Sequence, residues 1–325
     1  MSFRIDQALE RINGELLLLE FGTHPLDLYE PIHYTLGLGG KRLRPMLALL
    51  TCSLYDKDYE KALMPALGIE VFHNFSLIHD DIMDQASIRR GQPTVHERWG
   101  TPTAILSGDV ALVEAYQLIL QVPEALKWKA FELFSLMAKG VCEGQQLDMQ
   151  FEKENIVSTG EYIQMIRLKT AVLLGFSMQL GALIGGASDE EANKLRLFGE
   201  EIGLAFQVKD DFLDAFGDAA KVGKQIGGDI AANKKTFLFV KALELAEESD
   251  AQLLLGAYSE KSLDSAAKIE RVIKLYERLH LLEETEKEIE RLYQNAIKQL
   301  AGLSPGIFET AKLKRFAEQL MGRDK

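Results

Sequence analysis

The sequence predicts an all-α chain of roughly ten or more helices, and three observations carry that prediction. Seven of the eight prolines fall between Pro25 and Pro123 and the eighth is Pro305, so nothing between Pro123 and Pro305 breaks a helix. Helix interiors exclude proline because it removes a hydrogen bond and clashes with the preceding turn. Apolar residues also recur at helical spacing: Ile289, Leu292, Tyr293, Ala296 and Leu300 share a stripe, and Glu288, Glu290, Arg291 and Lys298 lie off it. Strand-like alternation bounded by turn dipeptides is scarce.

Along the chain, Arg4, Asp6, Glu10, Arg11 and Glu15 are interleaved with apolar residues, which suits an amphipathic helix and not a signal peptide. Gly37 to Gly40, Arg89 to Pro102 and Gly217 to Asn233 read as connectors. The stretch Ala171 to Ser188 carries no charge and approaches the length of a minimal membrane span. It contains Ser177, Gln179, Gly175, Gly181, Gly185 and Gly186, and no second span accompanies it, so a helix buried in a large core is the expectation. No connector is a long polar linker. The chain therefore reads as a single helical domain over residues 1–325, against a length prior of about two domains.

Composition narrows the partners. The charge is 37 − 49 = −12 with 26% charged residues, which argues against nucleic acid and anionic membranes, since both call for a basic surface. A hydrophobic content of 47% excludes a disordered chain. Cys52 and Cys142 are too few for a disulfide framework and lack metal-ligand spacing, so a reducing cytoplasm is expected.

One internal similarity stands out. Residues 75–84 and 205–214 superimpose at an offset of 130, each running an apolar stretch into Asp-Asp-apolar-apolar-Asp: Asp80, Asp81 and Asp84, then Asp210, Asp211 and Asp214. On a helix the first and last aspartates stack at i and i+4, with the middle one about 100° away. Three carboxylates at one helix end repel unless a cation sits among them. Mg²⁺ suits the task, because it uses one or two carboxylates together with substrate phosphate oxygens. A solvated acidic helix end is the bland reading of one cluster, and two matched clusters disfavour it. Basic residues accompany them: Lys41 and Arg44 after a glycine turn, Arg89 and Arg90 after the first cluster, then Lys169 with Thr170, Lys224 and Lys234. Singly, each is more often a solvated surface cation. Grouped beside carboxylates in an acidic chain, they suit polyanions held partly through metal.

These motifs resemble the trans-prenyl diphosphate synthases, the polyprenyl synthetase family, over nearly the whole chain. The match is carried in order by GGKRLRP at 39–45, His73, DDIMD at 80–84, RRG at 89–91, KT at 169–170, FQVKDDFLD at 206–214, Lys224 and Lys234. A lone DDxxD would be shared with terpene cyclases, and the ordered set is far more specific. The resemblance implies a barrel of long antiparallel helices around a central cavity, generally a homodimer. It implies three Mg²⁺ held on an allylic diphosphate by Asp80, Asp81, Asp84, Asp210, Asp211 and Asp214, the last through water. Arg89, Lys169 and Lys234 would complete that clamp, with Lys224 nearby. Isopentenyl diphosphate would bind Lys41, Arg44, His73 and Arg90, and Thr170 and Gln207 would steady an allylic cation. Lys209 inside the second motif and the Gly227-Gly228-Asp229 step are small departures that leave the implied reaction in place.

His73 shares an apolar face with Val71, Phe72 and Phe75, where a core histidine is the default; its place seven residues before Asp80 matches the family's His/Gln ligand. His79 and His96 have no such support and read as structural. For product length, the resemblance places the floor one turn before Asp80, at Phe75 and Ser76, with Phe72 deeper. A single aromatic at the fifth position favours twenty carbons over fifteen: geranylgeranyl diphosphate, with farnesyl diphosphate the alternative and a longer polyprenyl product or a terpene cyclase less favoured. A non-catalytic partner subunit would commonly lack an aspartate motif, and this chain keeps both. A di-iron carboxylate bundle is a rival from another class, since Glu30/His33 and Glu70/His73 share ExxH spacing, but Pro31 interrupts the first and the cations would have no role.

Overall fold

The computed structural model describes residues 3–154, 156–217, 226–259 and 265–322. Lys224 lies outside them. The described residues are helical almost throughout: α1 (Ile5–Leu18), α2 (Leu26–Gly37), α3 (Leu43–Tyr55), α4 (Leu63–Met83), α5 (Val95–Trp99), α6 (Thr101–Ile119), α7 (Lys127–Phe151), α8 (Thr159–Ile166), α9 (Val172–Gly185), α10 (Asp189–Phe216), α11 (Gly228–Ala231), α12 (Phe237–Leu245), α13 (Glu248–Ser259), α14 (Ser265–Arg278), α15 (Leu281–Gln299) and α16 (Gly306–Met321). The all-α expectation holds. The prolines explain why helices and prolines coexist: Pro45, Pro65 and Pro102 occupy first turns, where no intrahelical N–H bond is lost, and Pro305 caps α16. Pro31 alone sits inside a helix, α2.

The Arg89 to Pro102 segment is more structured than a connector. A two-stranded antiparallel hairpin pairs Ile88 with Pro93 and Arg89 with Gln92, and α5 follows. Arg90 (φ 53°) and Gly91 (φ 75°) supply the two left-handed residues that a tight hairpin turn demands.

The chain divides into two compact units. Unit 1 runs to Ala138 and resumes over Leu173–Arg196; unit 2 comprises Lys139–Val172 and the chain from Leu197 on. In unit 1, Phe72, Phe134 and Phe176 are fully buried, with Phe134 lying 5.2 Å from Phe72 and 5.6 Å from Phe176 between ring centroids. Helices approach closely where side chains vanish: a Cβ on Gly181 of α9 would sit 2.1 Å from the Ala48 carbonyl of α3. In unit 2, α8, α10, α12, α13 and α14 enclose Tyr162, Phe237, Phe239 and Tyr276. The run Thr159–Gly185 is long and apolar enough to span a bilayer, and 72% of its apolar window is buried inside the protein, which is the position of a core helix.

Candidate active site

In unit 1, α4 is mostly buried and ends at Asp80, Asp81 and Asp84. The three carboxylates diverge. Asp81 is buried, and the Arg89 guanidinium grips both of its oxygens, through Nε at 2.8 and 2.9 Å and Nη2 at 2.7 Å. Asp80 is half-buried and Asp84 exposed. The hairpin turn explains the ion pair, because it aims the first of its two arginines back at α4. The second, Arg90, lies against Gly40 and donates to the Gly39 carbonyl; a Cβ on Gly40 would stand 3.0 Å from its guanidinium. Lys41 is exposed in the same glycine turn.

Arg44, in the first turn of α3, reaches His73 on α4, with Nη1 to Nε2 at 3.2 Å. Its Nε is buried and meets no acceptor among the described residues, and burial pushes the guanidinium's pKa down. Burial, then the field of Arg44, Arg90, Arg89 and Arg42, holds the His73 imidazole well below its ordinary value, so it is neutral. Arg42 differs from its neighbours. It is buried, forms an ion pair with Glu70 at 2.7 Å, and donates to Leu36 O and Asn13 Oδ1. That pairing disposes of the di-iron alternative, because Glu70 is committed to Arg42 while His73 faces Arg44. His79 Nε2 donates to Ile105 O (3.1 Å), and His96 meets the Thr94 hydroxyl (3.3 Å), as structural histidines do. Ser76 returns its hydroxyl to His73 O within the helix, and Phe75 packs on Phe72 and His79.

Unit 2 holds the second cluster on α10. Asp211 is buried and accepts from Tyr162 Oη (2.6 Å) and Phe237 N (2.9 Å), with Gln207 Nε2 farther off at 3.4 Å. Burial pushes this carboxyl up to about 6, against the pull of those donors and Lys234. Asp214 Oδ2 accepts from Asp229 N (2.9 Å), and Asp210 is exposed. In both motifs, then, the middle aspartate faces protein donors and an outer one faces solvent.

Beside this cluster is a pocket of about 140 Å³ lined by Asp148, Tyr162, Met165, Ile166, Lys169, Thr170, Gln207, Lys234 and Lys235. Its geometry rests on a π-helical turn, Arg167–Ala171, which re-aims Lys169 and Thr170. The turn is pressed on by α7: a Cβ on Gly144 would lie 2.2 Å from Lys169 N. Lys169 is paired with Asp148 at 2.5 Å. Burial works against the Lys234 ammonium, but Asp229, Asp211 and Asp148 outweigh it and raise its pKa. Sequence reasoning named Lys169, Thr170, Gln207 and Lys234 here and missed Asp148, Tyr162 and Lys235. Gln145, three residues before Asp148, is buried with neither amide atom partnered among the described residues.

Among the described residues no group of three or more His, Cys, Asp or Glu side chains is gathered into a ready-made metal cage. The donor set still suits Mg²⁺, which takes hard oxygens, needs few carboxylates and completes its shell with water and phosphate. Asp84 and Asp210 are exposed and Asp80 is half-buried, so all three carboxylates are within reach of solvent.

A family model described as polyprenyl synthetase matches residues 26–276. The geranylgeranyl diphosphate synthase of Sulfolobus acidocaldarius is 39% identical over 283 residues, covering 85% of this chain and 84% of that protein. The short chain isoprenyl diphosphate synthase of Methanothermobacter thermautotrophicus is 43% identical over 249 residues, covering 75% and 77%. A crystal structure of a geranylgeranyl pyrophosphate synthase superimposes with a TM-score of 0.92 at 40% identity, over 100% of both chains.

Proposed function

Since the chain belongs to the polyprenyl synthetase family, we propose that it is a short-chain trans-prenyl diphosphate synthase. It joins isopentenyl diphosphate to an allylic diphosphate (dimethylallyl, geranyl or farnesyl) and releases pyrophosphate. Its main product is geranylgeranyl diphosphate. The relatives named for that product support this, as does the single aromatic Phe75 on the turn before Asp80. The family match runs through residues of both compact units, which supports one catalytic domain.

The observation that carries the reading is Arg44. A guanidinium with a buried, unmatched Nε, beside a neutral histidine and in the field of Arg90, is costly unless an anion arrives. Isopentenyl diphosphate would complete it, with Lys41 and Arg90 on the flanks. Lys169 and Lys234 would bind the allylic diphosphate, with Lys224 assigned there from the sequence. Asp80, Asp81, Asp84, Asp210, Asp211 and Asp214 would hold Mg²⁺, three ions in all, with Arg89 holding Asp81 and completing the clamp. Bound Mg²⁺ supplies electrophilic stabilisation of the departing pyrophosphate. As the allylic C–O bond breaks, the Thr170 hydroxyl and Gln207 amide oxygens offer dipoles to the carbon cation. Met165 and Ile166 keep water from it. The isopentenyl double bond forms the new C–C bond, and the pyrophosphate takes the proton that is lost.

A homodimer in the cytoplasm completes the proposal. On unit 1, α6 exposes Ile105, Leu106 and Val113, and the first turns of α7 expose Trp128, Phe131 and Leu136, a wide apolar surface for a monomer. Sedimentation equilibrium at micromolar protein checks it: a monomer refutes the dimer.

Incubation with Mg²⁺, labelled isopentenyl diphosphate and each allylic primer in turn tests the function. Chromatography should show a twenty-carbon product, and no elongation with any primer refutes the synthase. Phe75→Ala should lengthen the product; unchanged length refutes Phe75 as the floor.

A further inference from the structure

α14 carries none of the recognised motifs, yet its Lys268 is only 5% exposed. Among the described residues the ammonium has no carboxylate partner. It donates to Ile230 O at 2.6 Å and to Asn233 Oδ1, and it lies 4.7 Å over the Tyr258 ring. Tyr258 is itself buttressed by Tyr276, hydroxyl to hydroxyl at 3.3 Å. Burial without a counter-charge draws the ammonium's pKa down. An ammonium held by neutral oxygens alone is an expensive way to fill a core.

What it holds is the segment carrying Asp229 and Lys234. α11 is a single turn of four residues, too short to persist alone, because helix nucleation is unfavourable. Its start is fixed by Gly227 N to Asp214 O (2.7 Å) and Asp229 N to Asp214 Oδ2 (2.9 Å). Gly227 has φ 78°, and a Cβ there would stand 2.6 Å from Ile269, the residue after Lys268. Its end is fixed by Lys268, which takes both the Ile230 carbonyl and the side chain of left-handed Asn233 (φ 58°). The next residue is Lys234, whose N–H returns to Asp229 O at 2.9 Å and whose ammonium lies 3.5 Å from Asp229 Oδ1. Two consecutive residues of α14 thus seat both ends of one turn.

We infer that Lys268 is a positioning residue: it fixes the 227–234 turn and thereby aims Lys234 and the Asp214–Asp229 pair at the allylic diphosphate. The inference rests on the proposed synthase reaction and concerns only one of its two substrates. Removing the ammonium loosens the turn and weakens allylic diphosphate binding. Isopentenyl diphosphate, assigned to Arg44 and its neighbours, is unaffected.

The test compares Lys268→Met, which keeps the stem volume, with Lys268→Arg, which restores donors. For Lys268→Met the KM of the allylic diphosphate should rise at least tenfold, with the KM of isopentenyl diphosphate within twofold of the parent. Lys268→Arg should recover the allylic KM to within threefold. Asn233→Gly keeps the left-handed backbone and removes the oxygen acceptor; it should show the same split, and the double variant should be no worse than Lys268→Met. Equal changes in both KM values, a loss of kcat alone, or additive single effects would overturn the inference. If Lys268→Met fails to show a cooperative thermal transition, Asn233→Gly decides alone. If the parent protein elongates no primer, the synthase reading falls. The positioning role is then decided by calorimetric titration of the full chain with pyrophosphate and Mg²⁺, where Lys268→Met should bind at least tenfold more weakly and unchanged binding overturns it.

Discussion

At the end of α4 the middle aspartate meets a full opposite charge, whereas on α10 its counterpart meets a phenol and a backbone amide. Arg89 neutralises Asp81 through a forked pair of hydrogen bonds. Asp211 receives comparable hydrogen bonding from Tyr162 and Phe237, but burial still pushes its carboxyl up to about 6. One five-residue pattern is therefore built into two electrostatic settings. The first cluster carries its own cation; the second depends on Lys234 and on whatever cation binds from solution.

The largest effect should leave the two motifs indistinguishable. Asp80→Asn and Asp210→Asn each remove the first carboxylate of a motif, and each should lower kcat by about a thousandfold, the scale of losing one strong transition-state contact. Steady-state assays at saturating Mg²⁺ read this. A motif that tolerates the change within tenfold is scaffolding, and the parallel breaks there. Supporting residues should then separate them. Arg89→Met leaves Asp81 buried without its cation and should destabilise the fold by about 3 kcal/mol. Tyr162→Phe removes one neutral donor from Asp211 and should destabilise by about 1 kcal/mol. Urea unfolding gives both values, and equal losses would erase the contrast. The smallest effect concerns His73. Its folded pKa lies well below 6.5, so below that pH the unfolded chain binds a proton that the folded one refuses, and stability falls as pH falls. The slope from this group reaches at most about 1.4 kcal/mol per pH unit. His73→Gln should flatten unfolding free energy between pH 5 and 6.5, and an unchanged slope would refute a neutral His73.

Much of this was legible in the residues. Proline placement and helical stripes predicted the all-α class, and the two aspartate triplets with their ordered cations predicted the family. What was not legible came from packing over long sequence distances. Tyr162 is 49 residues from Asp211, and Asp148 is 21 from Lys169, so no local pattern pairs them. The hairpin escaped notice because its strands have two residues each, below the length at which alternation can be read. Arg42 and Arg44 look equivalent in a basic run, and only burial shows that one is satisfied by Glu70 and the other awaits a partner. The division into two compact units left no mark on composition.

The π turn at Arg167–Ala171 has a consequence for how this chain can change length. A π turn holds one residue more than the α-helical path needs. Deleting any single residue between Tyr162 and Ala171 would let the backbone relax to regular α-helix and swing Lys169 and Thr170 by about 100°. Residues 152–154 and 156–158, between α7 and α8, contain no π turn. Among descendants of this sequence, insertions and deletions should accumulate there and be purged from the ten residues that follow Glu161.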